Sequence, residues 1–328
     1  MTRALVCADK FKGTFTSSEV CAAIGAGLRA AGWDAVELPG ADGGEGTAAA
    51  LLVAAGGRWV EAGVTDALGR PVDARFALLA DGTAAVDAAE AIGLWRLDDA
   101  ELDPLAASSR GAGELVAAAL ASAPTVIVGS GGTASVDGGA GALAALPEAA
   151  RGRLRVACDV RTPWEDAAAV FGPQKGADED AVAVLAERLA RLASSLPRDP
   201  IGIIGTGCGG GLSGALWAAL DAELVPGAEL VLDAFGFDSR LREAALVITG
   251  EGRLDEQTAE GKLVAAVAAR ARRAGVPCVA IVGEDALGGR GARDLGLERV
   301  LEATHEQGLG EAARALASGF TATKRGTS

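Results

Sequence analysis

The sequence is poor in the residues that most often carry acid–base and metal chemistry. It has one histidine and no tyrosine, and aromatic residues make up 4% of its 328 residues. The single histidine, His305, cannot supply a multi-histidine zinc site. A Ser-His-Asp triad would have to use that same residue, so we favour the simpler interpretation that His305 lies at the surface or at the start of a helix.

Cysteine pairs and long hydrophobic runs are also missing. The five cysteines are widely spaced and include no CxxC pair, which predicts buried free thiols in a reducing compartment. No apolar run reaches the ~20 residues of a membrane span, and the N-terminus carries charges before any long apolar stretch. We therefore expect a soluble, cytoplasmic protein.

Positive charge is in the minority. Thirty basic residues against forty-four acidic ones leave a net charge of −14. This balance argues against nucleic acid or an anionic membrane as the main partner, because both need a positive face. A small anionic substrate stays compatible with it, because a few local groups make such a site.

Short β-branched runs alternate with alanine-rich helical stretches at both ends of the chain. The pattern predicts strands over 4–8, 34–38, 58–64, 245–249 and 278–282, and helices over 17–31, 47–55 and 262–274. Strand and helix in alternation indicate parallel βαβ units. Both chain ends are therefore expected to build one α/β domain.

The middle of the chain follows a different pattern. Two alternating runs, 72–79 and 83–89, flank Asp81-Gly82, which is a strong hairpin signal. A further strand is predicted over 201–204. An antiparallel pair inside a βαβ chain indicates an inserted domain, which we place at 68–235, with 1–67 plus 236–328 forming the outer domain.

Glycine is abundant, at 47 residues or about twice the ~7% average frequency. It clusters where predicted strands end, over 40–47, 129–139, 205–214 and 249–255. Glycine loops let backbone N–H groups approach an anion closely, and helix N-termini add positive dipole. None of these loops matches GxxxxGK[ST] or a convincing GxGxxG, and each alone could equally be a tight turn forced by packing. Four together favour a phosphate-binding protein.

Carboxylates and cations accompany the same loops. Those at or near strand ends are Asp9, Lys10, Lys12, Asp42, Glu45, Asp137, Asp159, Lys175, Asp233, Glu251, Arg253 and Asp255. Phosphoryl transfer uses carboxylates for Mg²⁺ and for a hydroxyl proton, and cations for phosphate charge. Any one acid at such a position is more often a cap or a solvated turn residue, but their concentration favours chemistry.

Several segments resemble the type I glycerate kinase family in order and spacing. They are 9–13 (DKFKG), 41–47 (ADGGEGT), 65–72 (TDALGRPV), 131–141 (GGTASVDGGAG), 157–160 (ACDV), 170–176 (VFGPQKG), 229–233 (ELVLD) and 248–255 (ITGEGRLD). The resemblance implies an ATP- and Mg²⁺-dependent kinase that converts D-glycerate to 2-phosphoglycerate. It also implies two α/β domains, a Rossmann/flavodoxin-like one formed by both chain ends and an inserted one with a mixed sheet, with the active site in the cleft. The oligomeric state stays open, with a homodimer as one candidate.

Within that resemblance, each candidate residue is expected to have a role. The catalytic candidates are Asp9, Lys12, Lys175, Arg253 and Asp255, with Asp9 or Asp255 facing the substrate hydroxyl. Asp42, Glu45 and Glu251 are expected to bind substrate, and Asp159 and Asp233 to bind Mg²⁺. The nucleotide candidates are Gly131, Gly132, Thr133, Asp137, Gly209, Gly210 and Gly211.

The chain departs from the family pattern in places that leave alternatives open. Lys10 replaces a usual serine, Val136 replaces a usual asparagine, and a segment that relatives usually carry is missing between Leu146 and Leu154. One alternative is a kinase of another small hydroxy or sugar acid. The other is a catalytically inactive homologue that binds nucleotide or glycerate.

Overall fold

The computed structural model describes residues 1–11, 13–158, 160–260 and 262–320. Contacts divide the chain into two units, one made of 1–41 and 232–328 and the other of 42–231. None of the described helices is both long and apolar enough to cross a membrane. Each unit has its own sheet and its own hydrophobic core.

The first unit is a parallel α/β sheet. Its strands are β1 (Arg3–Ala8), β2 (Asp34–Glu37), β9 (Leu246–Gly250), β11 (Cys278–Val282) and β13 (Arg299–Glu302). The order across the sheet is β13-β11-β9-β1-β2, and every pairing is parallel. Counted within the unit, this is the order 2-1-3-4-5 of flavodoxin-like folds, which confirms the predicted class.

Helices and a small ribbon complete the first unit. The helices are α1 (Ser17–Ala30), α10 (Phe237–Leu241), α11 (Leu263–Arg273), α12 (Gly288–Asp294) and α13 (Glu306–Gly319), and α9 (Gly227–Ala234) crosses the division between the units. The ribbon pairs β10 (Arg253–Leu254) with β12 (Glu284–Asp285). One face of β1 packs against α1 and α13 through Val6, Ile24 and Leu309, all fully buried. His305 caps α13 by accepting from the N–H of Gly308 at 2.9 Å, as expected of a residue at the start of a helix.

The second unit is built on a mixed six-stranded sheet. Its strands, in sheet order, are β3 (Gly57–Thr65), β4 (Pro71–Leu79), β5 (Ala84–Asp87), β6 (Val126–Gly129), β7 (Leu154–Cys158) and β8 (Glu223–Pro226). The pairs from β3 to β5 are antiparallel and those from β5 to β8 are parallel. The predicted hairpin at Asp81-Gly82 and the predicted mixed sheet are both present.

The helices of the second unit cover this sheet. They are α2 (Thr47–Ala55), α3 (Ala89–Ile92), α4 (Arg110–Leu120), α5 (Ala140–Ala145), α6 (Ala167–Phe171), α7 (Glu179–Ala193) and α8 (Leu212–Leu220). The main core gathers Phe76, Leu115 and Leu216. A second cluster packs α7 around Trp164, whose indole N–H donates to the carbonyl of Leu189 at 3.0 Å.

Two sequence-based expectations differ from the structure. Residues 201–204 form exposed turns instead of a strand, because Gly202 and Gly205 take positive φ values of 74° and 84°. Residues 42–67 lie in the second unit and not in the outer domain where we expected them. The physical reason is that β3 pairs with β4 over nine residue pairs, which ties it to the mixed sheet.

Candidate active site

The first group of candidate residues follows two neighbouring strands of the parallel sheet. Ala8 and Gly250 are register partners at the ends of β1 and β9, and Asp9 and Glu251 come directly after them. The N–H of Asp9 donates to the carbonyl of Gly250 at 2.8 Å, which places both loops side by side. The strand order reverses between β1 and β9, and ligands of open α/β sheets bind at such a switch point beyond the carboxyl ends of the strands.

Glu251, Arg253 and Asp255 share a short loop that Thr258 closes. The buried hydroxyl of Thr258 donates to Oε1 of Glu251 at 2.7 Å and accepts from the N–H of Asp255 at 3.1 Å. Oδ1 of Asp255 accepts from the N–H of Gln257 at 3.0 Å. Arg253 is exposed and forms ion pairs with Glu284 at 3.1 Å and with Asp255 at 3.9 Å. The carboxylates of Glu251, Asp255 and Glu284 thus lie together with the guanidinium of Arg253 at one edge of this sheet.

The second group lies at the carboxyl edge of the mixed sheet, in the loop 42–47. Asp42 is buried, and its Oδ1 accepts from the N–H of Gly44 at 3.3 Å. The hydroxyl of Thr47 accepts from the N–H of Gly43 at 3.2 Å and donates to the carbonyl of Gly44 at 2.7 Å. Glu45 is half-buried at the tip. The loop therefore contains several short-range hydrogen bonds of its own.

A second glycine loop, 130–139, follows β6 and adjoins the first. The N–H of Gly131 donates to the carbonyl of Gly43 at 3.3 Å, and Gly132 is exposed. The hydroxyls of Thr133 and Ser135 are buried and have no hydrogen-bond partner among the described residues. Buried hydroxyls are normally paired, so these two could contact a ligand or a bound water. This loop has the donors that an anionic ligand needs.

Asp137, a predicted nucleotide contact, makes a set of hydrogen bonds within the protein. Its carboxylate accepts from the N–H and the hydroxyl of Ser109 and from the N–H groups of Gly139 and Gly141, at 2.8–3.1 Å. These four hydrogen bonds occupy both carboxylate oxygens. Asp137 therefore fastens the loop to the starts of α4 and α5.

Gly209, Gly210 and Gly211 all have positive φ, at 63°, 67° and 92°. A Cβ on Gly210 would overlap the carbonyl oxygen of Ser135, and the carbonyl of Gly210 accepts from the N–H of Gly138 at 3.0 Å. The loop before α8 thus packs directly onto loop 130–139. This packing requires glycine at position 210, and the nucleotide contact of Gly210 stays a prediction.

Lys175 lies beneath the same loop. Its side chain is 4% exposed, and Nζ donates to the carbonyl of Ser135 at 2.7 Å. Burial lowers the pKa of Lys175 to about 7, while the carboxylate of Asp137 acts in the opposite direction. The amine therefore contacts the loop backbone, and its contact with phosphate stays a prediction.

The predicted metal ligands are Asp159 and Asp233. Asp233 lies on α9, is largely exposed, and pairs with the buried guanidinium of Arg270 at 2.7 Å. Asp159, like the catalytic candidate Lys12, lies outside the described residues. Among the residues that the structure describes, no three His, Cys, Asp or Glu side chains form a metal-binding group.

Sequence reasoning missed two residues that organise these loops. Thr258 joins Glu251 to Asp255, and Asp87, at the end of β5, accepts from the N–H groups of Gly46 and Ala48. For Asp87 the available signal was a lone acid ending the apolar run of the hairpin's second strand. Thr258 belongs to Gln257-Thr258, which continues the resemblance of segment 248–255, but we predicted no role for it.

Comparison with known proteins identifies the family. The family model described as the glycerate kinase family matches residues 4–149 and 147–324. A glycerate kinase of Bacillus subtilis (strain 168) is 38% identical over 322 residues, covering 85% of this chain and 84% of that one. A glycerate 2-kinase of Escherichia coli (strain K12) is 36% identical over 321 residues, with the same two coverages, 85% and 84%.

A solved structure agrees with these relatives. The crystal structure described as a glycerate kinase 2 from Salmonella typhimurium LT2 superposes with a TM-score of 0.79 at 33% identity, covering 97% of this chain and 98% of that one. The two matched segments of the family model meet at 147–149, where we expected a missing segment. The chain is an α/β protein that belongs to the glycerate kinase family.

Proposed function

We propose that this protein transfers the γ-phosphoryl group of ATP to the 2-hydroxyl of D-glycerate, giving 2-phosphoglycerate. The observation that carries the proposal is the family match over both units, from residue 4 to residue 324. The Escherichia coli relative is named a glycerate 2-kinase, which supports the 2-position. The carboxylates at the β1/β9 switch point supply the acid–base groups that such a transfer needs.

The proton acceptor is proposed to be Asp9 or Asp255. A carboxylate that receives the hydroxyl proton accelerates the reaction by about 10²–10⁴-fold. Asp255 keeps a partly exposed side chain, at 35%, and Asp9 follows the first strand at the switch point. Arg253, also exposed, is proposed to contact the carboxylate or the transferred phosphate.

Mg²⁺ is proposed to enter as the ATP complex. Mg²⁺ is usually held by one or two carboxylates together with substrate phosphates and water, so a preformed cluster of three protein ligands is not required. The described residues hold no such cluster, and the exposed Asp233 is already engaged by Arg270. When bound, the ion would neutralise charge on the phosphates. Asp42, Glu45 and Glu251 stay our candidates for substrate contacts.

The test is ADP release from Mg·ATP with D-glycerate, with the product identified by ³¹P NMR as the 2- or the 3-phosphate. Asp9→Asn and Asp255→Asn are compared with Asp294→Asn, an exposed aspartate of α12. We expect one of the first two to lower kcat at least ~100-fold and the control to keep wild-type kcat. A panel of other hydroxy acids separates the alternative substrates. Binding of ATP or glycerate by calorimetry without turnover would show an inactive homologue instead.

A further inference from the structure

Asp87 lies at a position that connects the mixed sheet to the loop carrying Asp42 and Glu45. It is the last residue of β5, 4% exposed, and its register partner on β6 is Gly129. Its Oδ2 accepts from the N–H of Gly46 at 2.8 Å, and its Oδ1 accepts from the N–H of Ala48 at 2.9 Å. Both donors belong to the start of α2, about forty residues earlier in the chain.

The start of α2 needs this carboxylate because its own N-cap is a glycine. Gly46 has φ of 99° and no side chain with which to cap the helix. The first N–H groups of a helix have no intrahelical acceptor, and the helix dipole favours a negative charge there. Asp87 supplies both the acceptor oxygens and the charge from a different element. Capping residues normally lie within the same segment, so this cap comes from tertiary structure.

The same contact fixes the candidate substrate loop. Glu45 directly precedes Gly46, and the hydroxyl of Thr47 joins Gly43 and Gly44 of the same turn. Gly43 in turn accepts from Gly131 of the second glycine loop. A change at Asp87 would therefore release Glu45 and Asp42 from the edge of the sheet while leaving the core in place.

We propose that Asp87 is a positioning residue for the phosphoryl-transfer site, holding loop 42–48 so that Asp42 and Glu45 present their carboxylates to the substrate. Asp87 acts through hydrogen bonds to the backbone and not by touching the substrate. The part of this inference that concerns turnover rests on the proposed function. The part that concerns loop order does not.

The kinetic test compares Asp87→Asn with Asp178→Ala. The asparagine keeps the size of the side chain but replaces one acceptor oxygen with a donor that opposes a backbone N–H. Asp178 caps α7 by accepting from the N–H of Ala181 at 2.8 Å, so its loss also removes a helix cap in the same unit. We expect kcat/KM for glycerate to fall at least ~10-fold in Asp87→Asn, equivalent to about 1.4 kcal/mol, with KM for ATP nearly unchanged. Asp178→Ala should lower Tm and keep wild-type kcat/KM.

The second readout does not depend on turnover. Hydrogen–deuterium exchange of peptides covering 42–49 should be faster in Asp87→Asn than in wild type, while peptides from α7 stay unchanged. Wild-type exchange in 42–49 together with wild-type kcat/KM would overturn the proposal, and so would equal kinetic losses in Asp87→Asn and Asp178→Ala. If wild-type protein turns over no glycerate, the proposed function fails, and the exchange comparison still decides whether Asp87 orders the loop.

Discussion

The buried amine of Lys175 makes the stability of the second unit depend on pH in a direction that can be derived. Burial lowers the pKa of Lys175 from 10.5 to about 7, although Asp137 opposes the shift. Between these two values the unfolded chain binds more protons than the folded chain. The free energy of unfolding therefore rises with pH in that window. Lys175 lowers the free energy of unfolding most below pH 7, where its buried amine is protonated.

The size of the effect follows from the same shift. One pKa unit corresponds to about 1.4 kcal/mol, so the whole shift is equivalent to about 5 kcal/mol. Because the folded-state group loses its proton near pH 7, about 2 kcal/mol of this develops between pH 7 and pH 9. Lys175→Met keeps the length of the side chain and removes the titrating amine together with its hydrogen bond to Ser135.

The measurement is urea unfolding of wild type and Lys175→Met at pH 7, 8 and 9, followed by tryptophan emission. Four of the five tryptophans lie in residues 42–231, so the signal reports mainly on the unit that contains Lys175. Burial also raises the pKa values of Cys7, Cys21 and Cys278, which lowers stability at high pH. Both proteins carry these cysteines, so their effect cancels in the difference.

The expected result is that wild type gains about 2 kcal/mol more than Lys175→Met between pH 7 and pH 9. The exposed amine of Lys262, which donates to Gln257 at 3.1 Å, provides the control, and Lys262→Met should follow the wild-type pH dependence. Parallel pH curves for wild type and Lys175→Met would refute the reasoning, because they would mean that Lys175 has the same pKa in both states.

Three further predictions concern single positions. Urea unfolding should show that Gly210→Ala lowers the free energy of unfolding by about 2–4 kcal/mol, because the alanine combines a positive φ with an overlap against a carbonyl. Gly202→Ala also has a positive φ but has open space around it, so it should lower the free energy of unfolding by only about 1–2 kcal/mol. His305→Ala removes the cap of α13, so it should lower the free energy of unfolding by about 1 kcal/mol and keep wild-type kcat. A large fall in kcat would restore the triad hypothesis. Thr258→Val removes the hydroxyl that donates to Glu251 and should lower kcat/KM about 10-fold with little change in Tm, so an unchanged kcat/KM would contradict a positioning role.

The fold could be predicted where local pattern and tertiary role agree. The apolar runs that became β1, β9 and β11 are buried throughout, and the Asp81-Gly82 hairpin formed as its turn chemistry indicated. The strand predicted over 201–204 was wrong: this segment contains three isoleucines, but Gly202 and Gly205 at positive φ place it in turns. Residue type predicted strand there, and backbone geometry decided against it.

The position of β3 could have been predicted from loop length. Only five residues, 66–70, connect β3 to β4. A connection that short cannot make a parallel crossover, which needs a dozen residues or more, so the two strands must be antiparallel neighbours. Applied to the sequence, this argument places 57–65 in the mixed sheet before any coordinates are known.

The glycine-rich and acidic motifs located loops, and the structure adds what holds those loops in place. Gly210 and Asp137 lie in glycine-rich loops that the sequence singled out, and both contact other parts of the protein, while their nucleotide contacts stay predictions. Two buried ionisable residues, Asp87 and Lys175, hold loops 42–48 and 130–139, and each lies far from its loop in the sequence. Asp87 and Gly46 are separated by 41 residues, and Lys175 and Ser135 by 40.

This separation has a consequence for how the site is built. A loop rich in glycine has much conformational entropy to lose, so it presents its N–H groups in a fixed geometry only if something outside the loop restrains it. Here a buried carboxylate restrains 42–48 through two N–H groups, and a buried amine restrains 130–139 through one carbonyl. In each case the restraining group is shielded from solvent, where its hydrogen bonds to the backbone are strongest. Removing either group should therefore disorder a loop whose own sequence is intact.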